Sequence, residues 1–267
     1  MKLKSIAFLT ALVATPALSH SIYTLPSDFT ISDAKGDWVS FDVSATNVVF
    51  SALKPASAEK VRIFHPDGTS ASPDAIIKGK RRSTFDYFFD QAGTYKVVNT
   101  FGPSHFTVYQ DGDQRQRLFA NKAERDALLP NGAEKVNTLR SERKSETYVT
   151  VAAPNDKTLA LSGKGFEMKP HTHPADIIEG EQVTFQYFYN GKPAADIEVV
   201  VTPDGVRYRN DAKMLNLKTD KDGKVSFTPE MPGRYLAEAS YSMASPKDPL
   251  ADRHSYGLNT VFEAQLD

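Results

Sequence analysis

The chain contains no cysteine among its 267 residues. That absence excludes disulfides, thiolate metal sites and cysteine nucleophiles together, so any metal must be held by histidine, carboxylate, backbone or water. Charge of one sign is also lacking. The 32 Lys and Arg are matched by 33 Asp and Glu and lie scattered, which argues against nucleic acid as a partner. There is no Gly-x-Ser-x-Gly, no phosphate-cradling glycine loop and no His-Glu-x-x-His, so no catalytic residue is assigned. The apolar run from Ile6 to Ala14 is about half the ~20 residues needed to cross a bilayer. The chain is therefore expected not to be membrane-embedded.

What is present begins with an address. Met1-Lys2-Leu3-Lys4, the apolar run and Ala17-Leu18-Ser19 form a basic n-region, an h-region and a small-x-small cleavage site. Residues 1–19 read as a secretory signal peptide, with the mature protein beginning at His20 or, if cleavage follows Ala17, at Leu18. A large exported chain without disulfides fits the bacterial periplasm.

The mature chain reads as all-β. Short runs rich in Val, Phe, Tyr and Thr recur between Gly, Pro and Asp punctuation, for example Trp38 to Val43 and Thr184 to Tyr189. An internal echo organises them. Ile63-Phe64-His65-Pro66-Asp67-Gly68 precedes Gly93-Thr94-Tyr95, and Val201-Thr202-Pro203-Asp204-Gly205 precedes Gly233-Arg234-Tyr235 at similar spacing. This predicts two immunoglobulin-like or fibronectin-like β-sandwich units, over residues 20–110 and 147–267. The Tyr after each Gly stands where a corner tyrosine belongs. Residues 111–146 are charged and predict a connector with a short helix, Lys122 to Leu129, opened by a capping box of Asn121 and Glu124.

Histidine carries the chemistry. If His20 is the mature N-terminus, its α-amine and Nδ1 can chelate one metal, and freeing that amine of its proton costs about 1 kcal/mol near neutral pH. His171 and His173 form a His-x-His between Pro170 and Pro174, and His254 lies just before the final strand, near a sandwich rim. One of His171 and His173 with His20 and His254 would give a nitrogen-rich site suited to Ni, Co, Cu or Zn. His105, after Gly102-Pro103-Ser104, is a secondary candidate, and His65 in its Pro-Asp-Gly turn reads as structural.

Further motifs carry a family resemblance. They are Pro170-x-x-His173-Pro174, Gly180-Glu181-x-Val183, Tyr189-Asn190-Gly191-Lys192-Pro193, Asp220-x-x-Gly223 and Pro232-Gly233-Arg234-Tyr235. With His20-x-x-Tyr23-x-Leu25-Pro26, the chain resembles a domain-of-unknown-function family of periplasmic proteins. Members are often labelled the periplasmic component of cobalt or nickel uptake systems. The resemblance implies a β-sandwich and a transition-metal role. His20 matches the family's tendency to begin the mature chain with His, Tyr23 stands where relatives often have Trp, and His173 where many have Asn. The function expected is a periplasmic binding protein that holds a divalent transition metal, free or chelated, for an inner- or outer-membrane transporter. Its rivals are a metal-free envelope interaction module and a copper oxygenase using an N-terminal histidine brace.

Overall fold

A computed structural model describes residues 20–267, so the signal peptide expected over residues 1–19 lies outside the described residues. Counting strands of four residues or more, the chain runs through β1 (Ser21–Pro26), β2 (Asp37–Thr46), β3 (Val61–Phe64), β4 (Ser83–Phe89) and β5 (Gly93–Asp111). It continues through β6 (Gln114–Leu118), β7 (Glu134–Val151), β8 (Phe166–Pro170), β9 (Val183–Tyr189) and β10 (Glu198–Pro203). The last four are β11 (Leu215–Lys218), β12 (Lys224–Phe227), β13 (Gly233–Ala244) and β14 (Arg253–Ala264). Helical structure among the described residues is limited to short 3-10 turns. The chain is all-β, as its alternating patterns predict.

One sheet is shared by both halves. Its order is β11-β10-β13-β14-β7-β5-β3, with β6 beside β5, and β7 and β14 run parallel within it. A sheet of β1-β2-β4 packs over one part and a sheet of β8-β9-β12 over another. The first core joins Val39, Phe41, Val43, Phe85 and Phe89 to Ile63, Tyr95, Val97, Val149 and Val151. The second joins Phe166, Met168, Phe185 and Tyr187 to Tyr148, Val199, Val201, Tyr235, Leu258 and Phe262. Each such side chain contributes about 1.5–3 kcal/mol by leaving water. β7 serves both cores because successive side chains point to opposite faces: Tyr148 enters the second, Val149 and Val151 the first. β1 lies across β13 and β14 on the first core's side, where Tyr23 and Leu25 meet Leu236 and Val261.

The internal echo is realised in the two corner tyrosines. Tyr95 Oη accepts the Gln91 N–H at 2.8 Å, and Tyr235 Oη donates to the Met231 carbonyl at 2.6 Å. Each hydroxyl ties back to the residue four positions earlier, across a glycine at φ +126° (Gly93) or +119° (Gly233).

The connector differs from expectation. Asn121 does cap a turn, accepting the Ala123 and Glu124 N–H groups at 2.9 and 3.1 Å, while Glu124 accepts the Asn121 N–H at 3.3 Å. The turn is a single 3-10 turn over Arg125–Ala127. Residues 134–146, expected to link the units, are the first part of β7 and belong to the shared sheet. This stretch is mostly polar: it pairs with β5 along its length and with β14 from Leu139 onward, and it contributes no side chain to either apolar core. Ladder hydrogen bonds rather than apolar burial hold it, so it lacks the apolar alternation of a half-buried strand.

Candidate functional site

The four histidines singled out in the sequence stand apart. His173 caps the turn over Pro174–Asp176 by accepting the Ala175 N–H at Nδ1, 3.1 Å. Its Nε2 faces Thr94 Oγ1 at 3.2 Å and the Asn155 carbonyl at 3.3 Å, so both ring nitrogens are engaged between the two units. His171 is exposed and bonds Gln186 Oε1 at 2.7 Å. His20 precedes β1, with Nδ1 2.5 Å from Asn47 Oδ1 and its carbonyl 3.4 Å from the Arg143 guanidinium.

His254 lies elsewhere. It shares a face of β14 with Tyr256 and Leu258, which enter the second core, whereas β1 packs on the other face. His20 and His254 therefore sit on opposite sides of one sheet. His173 is further still: it bonds Thr94, which pairs with Thr150, ten residues along β7 from the Arg140 that pairs with His254. At ~3.3 Å per residue that is about 30 Å. Among the described residues no three His, Asp or Glu side chains converge as a metal-holding group.

A different partner stands beside His254. Arg140 of β7 pairs with His105 of β5 on one side and with His254 of β14 on the other. Directly opposed residues share a sheet face, so His105, Arg140 and His254 form one cross-strand row. A bulge places His105 there. Before it Lys144 pairs with Thr100, after it Ser141 pairs with Ser104, so β5 spends one extra residue and its facing set changes from even to odd numbers. Gly102 sits in the bulge at φ +92°, where an added Cβ would lie 2.6 Å from the Ser141 carbonyl oxygen.

The loop between β13 and β14 closes over the row. Asp248 Oδ2 is 2.6 Å from His254 Nε2, and Asp248 Oδ1 accepts the Leu250 N–H at 2.8 Å. The bond to His254, then that to Leu250, holds the Asp248 carboxyl below its usual range, and the nearby His105 adds to the effect. The loop is itself tied down where the Lys122 N–H meets the Leu250 carbonyl at 2.9 Å.

This arrangement fixes a tautomer. A carboxylate only accepts, so in the neutral ring His254 carries its proton on Nε2 and keeps a lone pair on Nδ1. The only neighbour of Nδ1 among the hydrogen bonds is Tyr256 Oη, at a long 3.4 Å. Tyr256 Oη also meets Tyr189 Oη at 3.1 Å, and burial followed by the Tyr189 contact pushes the Tyr256 hydroxyl up. His105 Nε2 is buried without a partner. Two imidazole nitrogens on one row are thus free of strong hydrogen bonds. Glu142, opposite Tyr256 in register, forms an ion pair with Arg140.

Two depressions lie elsewhere. One of about 460 Å³, lined by Tyr109, Arg115, Lys135, Leu139 and Arg253, opens on the reverse face of these strands, since Leu139 and Arg253 alternate with Arg140 and His254. Another, about 520 Å³, lies beside Asp204, Tyr208 and Arg234. Neither is lined by a histidine; the row is a surface site reached from the sheet rim, where the His254 side chain is 20% exposed.

Sequence reasoning reached His254 and ranked His105 lower, but missed Asp248, Arg140 and Glu142. Asp248 precedes Pro249 six residues before His254, an acid in a rim loop near a histidine. No comparable signal marked Arg140, whose place follows from strand pairing.

Comparisons with known proteins bear on the family. No curated protein shows significant sequence similarity to the chain. Among solved structures, the D0-D1 domain of intimin matches at 13% identity and TM-score 0.23, covering 90% of this chain and 96% of that one. Trypsin-activated alpha-2-macroglobulin from Escherichia coli matches at 12% identity and TM-score 0.24, covering 91% and 24%. Chicken CNTN1 FN1-FN3 domains match at 9% identity and TM-score 0.17, covering 90% and 67%. Likeness at this level supports no argument about fold or function. The family model described as Domain of unknown function (DUF4198) matches residues 17–243, ending before Asp248 and His254. Since that span is most of the chain, the protein belongs to the DUF4198 family.

Proposed function

We propose that the protein is an exported binding protein for a divalent transition metal, nickel or cobalt foremost with copper and zinc as lesser cargoes, which it holds for a membrane transporter. The site is the rim row, with His254 Nδ1 and His105 Nε2 as donors. One observation carries this reading: an imidazole oriented by a carboxylate, its other nitrogen met only by Tyr256 Oη at a long 3.4 Å, stands in the same row as a second imidazole whose nitrogen is buried and unpaired. Histidine ligands characteristically donate their second N–H to a carboxylate or carbonyl, which fixes the ring and raises its basicity. His105 and His254 flank one strand, about 10 Å apart at the backbone. Two imidazoles with a metal ~2.1 Å from each nitrogen can span that distance.

His20, His171 and His173 have no part in this site. The exported location rests on the sequence of residues 1–19, and no helix among the described residues is long and apolar enough to cross a membrane. The test is calorimetric titration of the mature protein with Ni(II), Co(II), Cu(II) and Zn(II), beside His105→Ala and His254→Ala. Each substitution is expected to weaken binding tenfold or more; equal affinity in all three proteins would sink the reading. The metal-free interaction module remains the rival, favoured by the lack of any three converging carboxylate or imidazole ligands among the described residues. The histidine brace has less support, because His20 and His254 occupy opposite sides of the sheet.

A further inference from the structure

Two features of the row set it apart from a cage for a bare cation. The first is the number of donors. His105 and His254 supply two nitrogens, and no third His, Asp or Glu converges with two others among the described residues. Asp248 is already engaged by the His254 ring and the Leu250 N–H. A divalent transition metal takes four to six ligands, so most of its shell must come from elsewhere. The second is the charge between the donors. Arg140 lies in register with both histidines, and a guanidinium keeps its charge at every accessible pH. Glu142 offsets that charge from one edge, and the remaining N–H donors have no use for a bare cation.

Building on the rim reading, we infer that the cargo arrives as an anionic metal-chelate, a divalent transition metal already held by a small polycarboxylate. Both features then become functional. The chelator supplies the missing oxygen ligands, the two imidazoles complete the shell, and Arg140 receives a carboxylate that points away from the metal. One edge of its guanidinium is held by Glu142, and the fork has five N–H donors in all, enough to pair a second carboxylate. Glu142 thereby acts as a positioning residue that keeps the guanidinium beside the row.

The experiment compares three titrants on the mature protein in a non-coordinating buffer: hydrated Ni(II), the 1:1 Ni(II)–citrate complex, which is an anion, and citrate alone. Each is repeated on Arg140→Met, with thermal unfolding to check that the variant folds. The expected result is that Ni(II)–citrate binds at least tenfold more tightly than hydrated Ni(II), and citrate alone at least tenfold more weakly than the complex. Arg140→Met should remove the preference for the complex, bringing its affinity down to that of hydrated Ni(II). Hydrated Ni(II) binding as tightly as the complex, with both sensitive to His105→Ala and His254→Ala, overturns this inference and leaves the rim reading standing. Binding insensitive to both histidine variants, or none by either nickel form, overturns the rim reading and this inference with it. Citrate alone matching the complex makes the row a plain anion site and overturns both. If Arg140→Met fails to fold, the ratio of complex to hydrated ion in the unaltered protein decides the inference by itself.

Discussion

Replacing Gly102 by alanine tests whether the bulge in β5 builds the site. The added Cβ would lie 2.6 Å from the Ser141 carbonyl oxygen and 3.0 Å from the Ser104 nitrogen, both backbone atoms that cannot swing away, and the residue sits at φ +92°. A non-glycine residue held in so sparse a region costs about 1–3 kcal/mol. Taking about 2 kcal/mol, a chain of this size loses roughly 4–8 °C in Tm. The ladder can relieve the clash by shedding the extra residue, which moves β5 by one position and exchanges its two faces. Ser104 or Phe106 then replaces His105 beside Arg140, and metal affinity should drop tenfold or more. Gly132→Ala is the matched control, because Gly132 also has a positive φ, +86°, but an added Cβ meets nothing within 4 Å. By differential scanning calorimetry it should lose only the few degrees that a positive φ costs by itself, without the further loss from the Gly102 clash, and it should lose no metal affinity. If Gly102→Ala behaves like Gly132→Ala in both measurements, the bulge does not place His105 and the reasoning is refuted.

Four other outcomes are expected. Asp248→Asn should weaken metal binding by about ten- to a hundredfold by releasing the His254 ring, with little change in Tm; unchanged affinity in the titration would remove Asp248 from the account. One extra residue before His20 should leave metal affinity unchanged, whereas loss on extension would return His20 to the site. Glu146→Gln should cost about 3–5 kcal/mol in chemical denaturation, because Lys96 Nζ lies 3.0 Å from Glu146 Oε2 with its side chain 15% exposed. Burial there works against the Lys96 charge, but the Glu146 carboxylate outweighs it and raises the amine. Asp252 gives a pH dependence. Burial opposes its charge, yet hydrogen bonds from Lys122, the Thr138 N–H and Arg125 hold it at about 2, below the ~3.9 of an unfolded chain. Its stabilisation is complete above that unfolded value and is lost as pH falls through about 2. Asp252→Asn should therefore show a shallower loss of stability between about pH 4 and pH 2 than the unaltered protein, read by urea unfolding.

The fold was legible because its strands obey period two where one face is buried. Trp38 to Val43 alternates as expected, with Val39, Phe41 and Val43 fully buried and Trp38 62% exposed. The repeated Pro-Asp-Gly and Gly-x-Tyr segments likewise mark equivalent corners. The connector was misread for a physical reason: the outer part of β7 is held by ladder hydrogen bonds to β5 and β14 and puts no side chain into either core, so it has no apolar face to announce it. The row proposed as the site was legible in part. His254 could be found from its place before the last strand. His105 could not be assigned its face, because parity counted from Lys96, Val98 and Thr100 fails beyond the bulge at Gly102. Arg140 joins the two through one antiparallel and one parallel pairing, contacts between residues far apart in the chain that no local pattern records. His171 and His173 carried a sequence signal equal to that of His254, yet each ring is already hydrogen-bonded, to Gln186 in one case and to the Ala175 N–H in the other.

The central claim is that His105 and His254 share one metal ion. Nickel K-edge X-ray absorption on the mature protein loaded with Ni(II)–citrate tests it most directly by counting imidazole ligands. The account predicts two imidazoles at ~2.1 Å, falling to one in His254→Ala and one in His105→Ala. An unchanged imidazole count in both variants, or a shell of oxygen alone in the unaltered protein, would contradict it.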